Sequence, residues 1–376
     1  MTKTVFVTIS GRTNVGKSSL LNAIVGERIA SVSNKPQTTR TRITGIKTVG
    51  EIQMVFMDTP GLHKPKNKLS TYMLQAAKEA VNDMDVVLFV ADCTRQPTEQ
   101  ELEFLQPLKA SKTTVMLVLN KIDLLEEKNV LMQRIAEWNA AFPFAESFPI
   151  SVSENDGVDL VEEAVCHCAI PAPHYFPDDK ITDQPEQVLI AEMIREQVLR
   201  LLRDEVPHGV AVAVERLSER DDKDLLDIDA TIYCERESHK GILIGKKGAM
   251  LKRIASQARA QLEQFFQIQV NLQCWVKVKE DWRNRDGLIR NFGLNNLDTS
   301  SPAQKFPWIT GVCFCNPIGR GENRCKQIFG HDFARPEKSR TIWLGNKRHR
   351  LPNNPKRIPS NHAHKTMLDS TGTAGR

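Results

Sequence analysis

Gly11-Arg12-Thr13-Asn14-Val15-Gly16-Lys17-Ser18 decides the fold. It matches G-x-x-x-x-G-K-[ST], directly after an apolar run at 4–9 and directly before an amphipathic stretch at 18–25. The glycines let the backbone curl so that its N–H groups face phosphate oxygens, and the following helix adds the positive end of its dipole. Lys17 is placed to reach β- and γ-phosphates and Ser18 to ligate Mg²⁺, with Ser19 beside it as a further nucleotide contact. Strand, phosphate loop and helix in that order imply an α/β layer fold around a nucleoside triphosphate.

Outward from this loop, short apolar runs alternate with longer amphipathic stretches. Residues 53–57, 86–90, 114–119 and 148–150 read as further strands, and 69–81, 99–108, 130–141 and 158–166 as helices. The strands are rich in Val, Ile and Phe, as strands covered on both faces require. Three more motifs fall at strand ends. Asp58-Thr59-Pro60-Gly61 offers a carboxylate for Mg²⁺ and a glycine backbone, Gly61, to sense the γ-phosphate. Asn120-Lys121-Ile122-Asp123 offers an aspartate able to accept two hydrogen bonds from guanine N1 and N2; adenine lacks that donor pair, so GTP or GDP is expected rather than ATP. Ser151-Val152-Ser153 offers a backbone N–H to guanine O6. The polar segment 29–42 sits where a mobile loop would cover Mg²⁺ and the γ-phosphate. Thr39 is the hydroxyl expected to meet both, with Thr38 as the alternative. Lys17, Thr39 and Gly61 are thus the expected catalytic set, and Ser18, Thr39 and Asp58 the expected metal ligands.

At 171–186, PAPHYFPDDKITDQPE has four prolines and no period, as a linker would. Beyond it, 187–203 reads as an amphipathic helix, 210–217 and 227–234 as paired strands, 249–266 as a helix and 268–278 as a half-buried strand. Gly245-Lys246-Lys247-Gly248 precedes the long helix as a G-x-x-G loop, the element with which KH domains clamp a nucleic-acid backbone. Lys246 and Lys247 bring charge to phosphates, and Lys252, Arg253 and Arg259 extend it along the helix. Trp275 and Trp282 each suit either base stacking or a packed interior.

Residues 1 to about 296 resemble the bacterial Era family of GTPases, through GRTNVGKSSLLNAIVG, NKPQTTRTRITGI, DTPGLHKPKNKL, NKID, FPDDKITDQPE and the G-x-x-G region. The resemblance implies a Ras-like P-loop domain with a mixed sheet at 1–170, a linker at 171–186 and a type II KH domain at 187–284; 285–376 is expected to be an atypical extension, largely irregular, which the resemblance does not cover after about 297. It implies GTP hydrolysis, which Leu62 is expected to make slow, and binding of small-subunit ribosomal RNA near its 3′ end during assembly of the 30S subunit. It also implies a cytoplasmic protein that associates peripherally with the inner membrane; a monomer is favoured. The family usually has proline where Thr13 stands and alanine where Val152 stands; neither change removes a ligand side chain. The position of the water-orienting glutamine of Ras-like proteins holds Leu62, which makes no hydrogen bond. Asn14 is similar to the potassium-coordinating asparagine of related GTPases, so K⁺ stimulation is expected. GTP as a structural ligand with negligible turnover is the alternative that Leu62 keeps open. A tRNA-modification GTPase fits less well, because the KH-like loop is not among the domains those enzymes carry.

Of 51 Lys+Arg and 46 Asp+Glu, residues 297–376 hold 14 and 5, leaving 37 and 41 in the remainder. A mildly acidic body thus carries a basic tail. The tail has no period, and two expectations stand for it: nonspecific phosphate contact, or an extension without function. Cys313, Cys315, Cys325 and His331 are spaced unlike any strong zinc finger. The eight cysteines are expected as free thiols, and no run of about 18 apolar residues is present to span a membrane. The N-terminal MTKTVFVTIS is expected to be a first strand rather than a signal peptide.

Overall fold

A computed structural model describes residues 1–294, apart from 34, 36–37, 63–64, 66, 82–83, 204–205 and 221–223. The zinc and phosphate-contact expectations for the tail fall outside the described residues. The phosphate loop joins β1 (Lys3–Ser10) to α1 (Lys17–Val25). β2 (Ile43–Val49), β3 (Ile52–Asp58), α2 (Lys68–Glu79), β4 (Val86–Asp92), α3 (Glu99–Leu105), β5 (Thr114–Asn120), α4 (Lys128–Ala141), β6 (Ser147–Ile150), α5 (Val158–His167) and the short β7 (Ile170–Pro171) follow. The seven-stranded sheet runs β2-β3-β1-β4-β5-β6, with β7 paired to β1. β2 and β7 are antiparallel to their neighbours, so the sheet is mixed. Its double burial shows in β4: Val86, Leu88 and Val90 enter one apolar core, while Val87, Phe89 and Ala91 enter the core on the opposite face.

β2 was not expected from the sequence. ITGIKTV mixes Gly, Thr and Lys into the run, and among the described residues it pairs with β3 alone, so its burial comes from tertiary pairing rather than pattern. The patternless linker covers its outer edge: the Ile46 N–H donates to Ile181 O at 2.8 Å, and Thr182 Oγ1 to Thr44 O at 2.6 Å. This hides a sheet edge that would otherwise invite pairing.

The second module comprises α6 (Glu186–Leu201), β8 (Ala211–Arg220), β9 (Leu225–Cys234), α7 (Glu237–Ile244), α8 (Ala249–Phe266) and β10 (Gln269–Val278). Its sheet runs β10-β9-β8, parallel between β9 and β10 and antiparallel between β8 and β9. α8 buries Ile254, Ala258, Leu262 and Phe266, a four-residue repeat that gives one apolar stripe against the sheet. α7 is an addition to the expected order; its ESHKGILI is too short and too polar at its start for a period to register.

The extension does not begin irregular. α9 (Asp286–Asn291) buries Ile289, which packs with Trp282, Ala211 of β8 and Leu69 and Met73 of α2. Six residues carry no legible period; their order comes from this junction, where the two modules meet. The five described cysteines are free thiols, and none of the described helices is long and apolar enough to cross a membrane.

Candidate functional site

The phosphate loop depends on backbone that only glycine accommodates. Gly16 has φ +106°, and a Cβ there would lie 2.1 Å from Asn120 Nδ2. That amide donates to Val15 O at 2.8 Å, so the loop and the strand-end asparagine are fitted together. Lys17 is buried and its Nζ donates to Arg12 O at 2.7 Å. Burial pushes its pKa down to about 8, against the opposing charge of Asp58.

Ser18, Thr39 and Asp58 converge. Ser18 Oγ lies 2.6 Å from Asp58 Oδ2 and 2.7 Å from Thr39 Oγ1, and Thr39 Oγ1 lies 3.2 Å from Asp58 Oδ2. Asp58 is fully buried, and its Oδ1 has no protein hydrogen-bond partner. Burial pushes its pKa up; Lys17 and the two hydroxyls oppose that. An orphaned buried carboxylate oxygen beside two hydroxyls fits a hard divalent cation that takes oxygen ligands. Thr38 is elsewhere occupied: its Oγ1 donates to Lys35 O at 2.7 Å. Asn14, with φ +65°, and Ser19 line the same cleft as Lys17, Thr39 and Gly61. Gly61 lies so close to the phosphate loop that a Cβ would meet the Thr13 backbone at 2.7 Å. Leu62 is 3% exposed and packed in a core with Ala77 and Val87.

Beyond the ends of β5 and β6, Ser151 Oγ donates to Asp123 Oδ1 at 2.6 Å and fixes that carboxylate. Lys121, with φ +73°, pairs with Asp92 at 2.7 Å. Burial raises the Asp92 pKa, but hydrogen bonds from Lys121 and Thr94 outweigh it, and the carboxyl sits below its usual range. Within Ser151-Val152-Ser153, the segment expected to offer a backbone N–H to guanine O6, the Val152 N–H donates to Asn120 Oδ1 at 3.1 Å, tying the last motif to the third.

In the second module, Gly245 takes φ +71° and ψ 179°, a conformation essentially restricted to glycine, and a Cβ there would lie 2.8 Å from Met250 Cβ. Lys247 is left-handed at φ +51° and Gly248 at φ +79°. Lys246, Lys247, Lys252 and Arg253 are all exposed around this turn and the first turns of α8. Ile242 of α7, three residues before Gly245, is exposed as well, and its helix is not legible in the sequence. The two tryptophans part company with the loop. Trp275 is 44% exposed but lies on the β10 face opposite Cys274 and Val276, which pack toward α8. Trp282 is fully buried and its Nε1 donates to Gly209 O at 2.9 Å, so it stacks on no base in this arrangement.

The fold and the two sites define a P-loop GTPase joined to a KH module. A family profile described as a 50S ribosome-binding GTPase matches residues 6–121, and a KH-domain profile matches 205–283. GTPase Era of Clostridioides difficile is 49% identical over 296 residues, 79% of this chain and all of that protein. GTPase Era of Geobacter metallireducens is 47% identical over 288 residues, 77% of this chain and 96% of its own length. Among solved structures, an Era chain in complex with MgGDPNP and nucleotides 1506–1542 of 16S ribosomal RNA is similar at a TM-score of 0.75 and 36% identity, over 78% of this chain and 99% of that one. A variant of Aquifex aeolicus Era bound to GDP and AlF₄⁻ gives 0.74 over the same shares, again at 36% identity. The chain belongs to the Era family of GTPases.

Proposed function

We propose that this GTPase grips the 3′ region of small-subunit ribosomal RNA through its KH module and serves assembly of the 30S subunit, acting in the cytoplasm as a monomer. The observation that carries it is the likeness to an Era chain captured with MgGDPNP and 16S ribosomal RNA together. Ser18, Thr39 and Asp58 would hold Mg²⁺, which supplies positive charge against the β- and γ-phosphate oxygens. Lys17 adds a buried ammonium that stabilises charge developing on those oxygens, and Gly61 brings backbone to the γ-phosphate. Gly11 and Gly16 let the loop wrap the phosphates. Asp123, oriented by Ser151, accepts from guanine N1 and N2, while Asn120, Lys121 and Val152 brace that pocket. On the KH module, Gly245 and Gly248 admit the RNA backbone, Lys246, Lys247, Lys252 and Arg253 meet its phosphates, and Ile242 offers apolar contact. Peripheral contact with the inner membrane belongs to the same family-based proposal.

Leu62 leaves the attacking water without a side-chain partner, so turnover rests on the cations and the backbone. Asn14 lines the phosphate cleft and would contribute to a K⁺ site there. Turnover in KCl should exceed that in NaCl at equal ionic strength; equal rates would remove K⁺ from the mechanism.

The function is tested by crosslinking bound RNA to the protein in the presence of a non-hydrolysable GTP analogue and sequencing it. Reads should concentrate at the 3′ end of small-subunit ribosomal RNA. Reads spread evenly over all RNA would overturn the assignment of that partner.

A further inference from the structure

The backbone at 38–40 carries the metal-ligating hydroxyl, and the second module holds it from both sides. Thr39 faces Ser18 and Asp58. Its neighbour Arg40 turns away from the nucleotide cleft and is 3% exposed. The guanidinium donates from Nη1 to Val210 O at 2.6 Å and from Nη2 to His208 O at 2.8 Å, just ahead of β8. Its Cζ lies 5.6 Å from the centre of the Trp282 ring. On the other side of Thr39, Thr38 O accepts from Arg195 Nη2 of α6. Arg195 is itself 2% exposed and tethered through Nε to Glu192 Oε1 at 2.9 Å. Earlier in the loop, Ser31 Oγ donates to Glu192 O at 3.0 Å.

A planar fork on two carbonyls and a stacked ring fixes orientation as well as position, which a lysine at the same place would not do. Arg40 Nε and Arg195 Nη1 are buried without hydrogen-bond partners, so both guanidinia are incompletely satisfied where they stand. Such groups are costly to bury, and apolar residues of similar length would fill the same space more cheaply. What an apolar residue would not supply is a directional hold on the peptide that carries Thr39.

We propose that Arg40 and Arg195 are positioning residues for GTP hydrolysis: the KH module acts as a clamp in cis that holds Thr39 on Mg²⁺. The proposal rests on the assignment of Thr39 as a metal ligand. It makes the KH module part of what completes the hydrolytic site, beyond its own grip on RNA. Displacing the 38–40 backbone by about 1 Å is enough to cost up to about 10²-fold in rate.

The full-length chain with Arg40→Met, Arg40→Lys, Arg195→Met and Thr39→Ala tests this. The measurements are kcat and KM for GTP, the Mg²⁺ concentration for half-maximal kcat, and affinity for a fluorescent GDP. GDP lacks the γ-phosphate that Thr39 is placed to meet, so its affinity reports an intact nucleotide pocket. Arg40→Met and Arg195→Met should lower kcat by about 10- to 100-fold and raise the Mg²⁺ requirement several-fold, with GDP affinity within twofold of the parent. Arg40→Lys, which keeps the charge but not the fork, should recover only part of the loss. Parental kcat and Mg²⁺ dependence in both Met variants, with Thr39→Ala impaired, would overturn the clamp. A Thr39→Ala variant with unchanged Mg²⁺ dependence would instead overturn the assignment of Thr39. If Arg40→Met also loses GDP binding through misfolding, Arg195→Met and Arg40→Lys decide the matter by the same criteria.

Discussion

Lys17→Ala should reduce multiple-turnover phosphate release by about 10³-fold, the effect of removing a preorganised cation from the transferring phosphoryl group. Two losses combine. The first is the ammonium itself, which stands in a water-poor loop where its charge acts at low dielectric. The second passes through Asp58. Burial already drives that carboxyl upward, and Lys17 is the first force opposing it. Without Lys17 the carboxyl loses the charge that most opposes that rise. The parent's own rate is the control that matters. If the parent releases phosphate over many turnovers and Lys17→Ala does not, GTP is a substrate and not a structural ligand. A parent that fails to turn over, or a Lys17→Ala variant as fast as the parent, would return weight to the alternative that Leu62 invites.

The nucleotide site was legible because its chemistry is written in short segments. The first three motifs each sit at the end of one buried strand, and strands with both faces covered announce themselves by continuous apolar runs. Thr39 is preferred over Thr38 in the sequence already; the loop's fold adds the approach of Thr39 to Ser18 and Asp58, and the turn that sends the Thr38 hydroxyl to Lys35. β2 and the edge made by the linker were not legible, because each is ordered by its partner and not by its own period. Arg40 and Arg195 were hidden for a stronger reason. Their partners lie 170 and 157 residues away in the chain, and nothing local distinguishes them from solvated arginines. Trp282 shows the same limit. An aromatic after a basic strand suits RNA or a core equally well, and only its indole bond to Gly209 O and the Arg40 cation above it settle the matter.

On the KH module, Gly245→Asp should weaken RNA binding by about 100-fold, equivalent to about 2.7 kcal/mol, while leaving GTP turnover in the absence of RNA unchanged. Backbone and charge act together at this position. With φ +71° and ψ 179°, any side chain is strained, and its Cβ would press on Met250 Cβ at 2.8 Å, pushing the start of α8 out of place. The new carboxylate would also face phosphates that Lys246 and Lys247 are placed to meet. Gly248 separates the two effects. Its φ of +79° suits asparagine, and a Cβ there meets nothing within 4 Å. Gly248→Asn should therefore bind RNA within about threefold of the parent, and Gly248→Asp should lose about tenfold or more through charge alone. Filter binding at several salt concentrations distinguishes them, since the aspartate variant's deficit should shrink as salt screens it, whereas the strain at Gly245 is indifferent to salt. Parental affinity in Gly245→Asp would show that RNA is held elsewhere on the chain, and the basic residues outside this loop would then have to carry the grip.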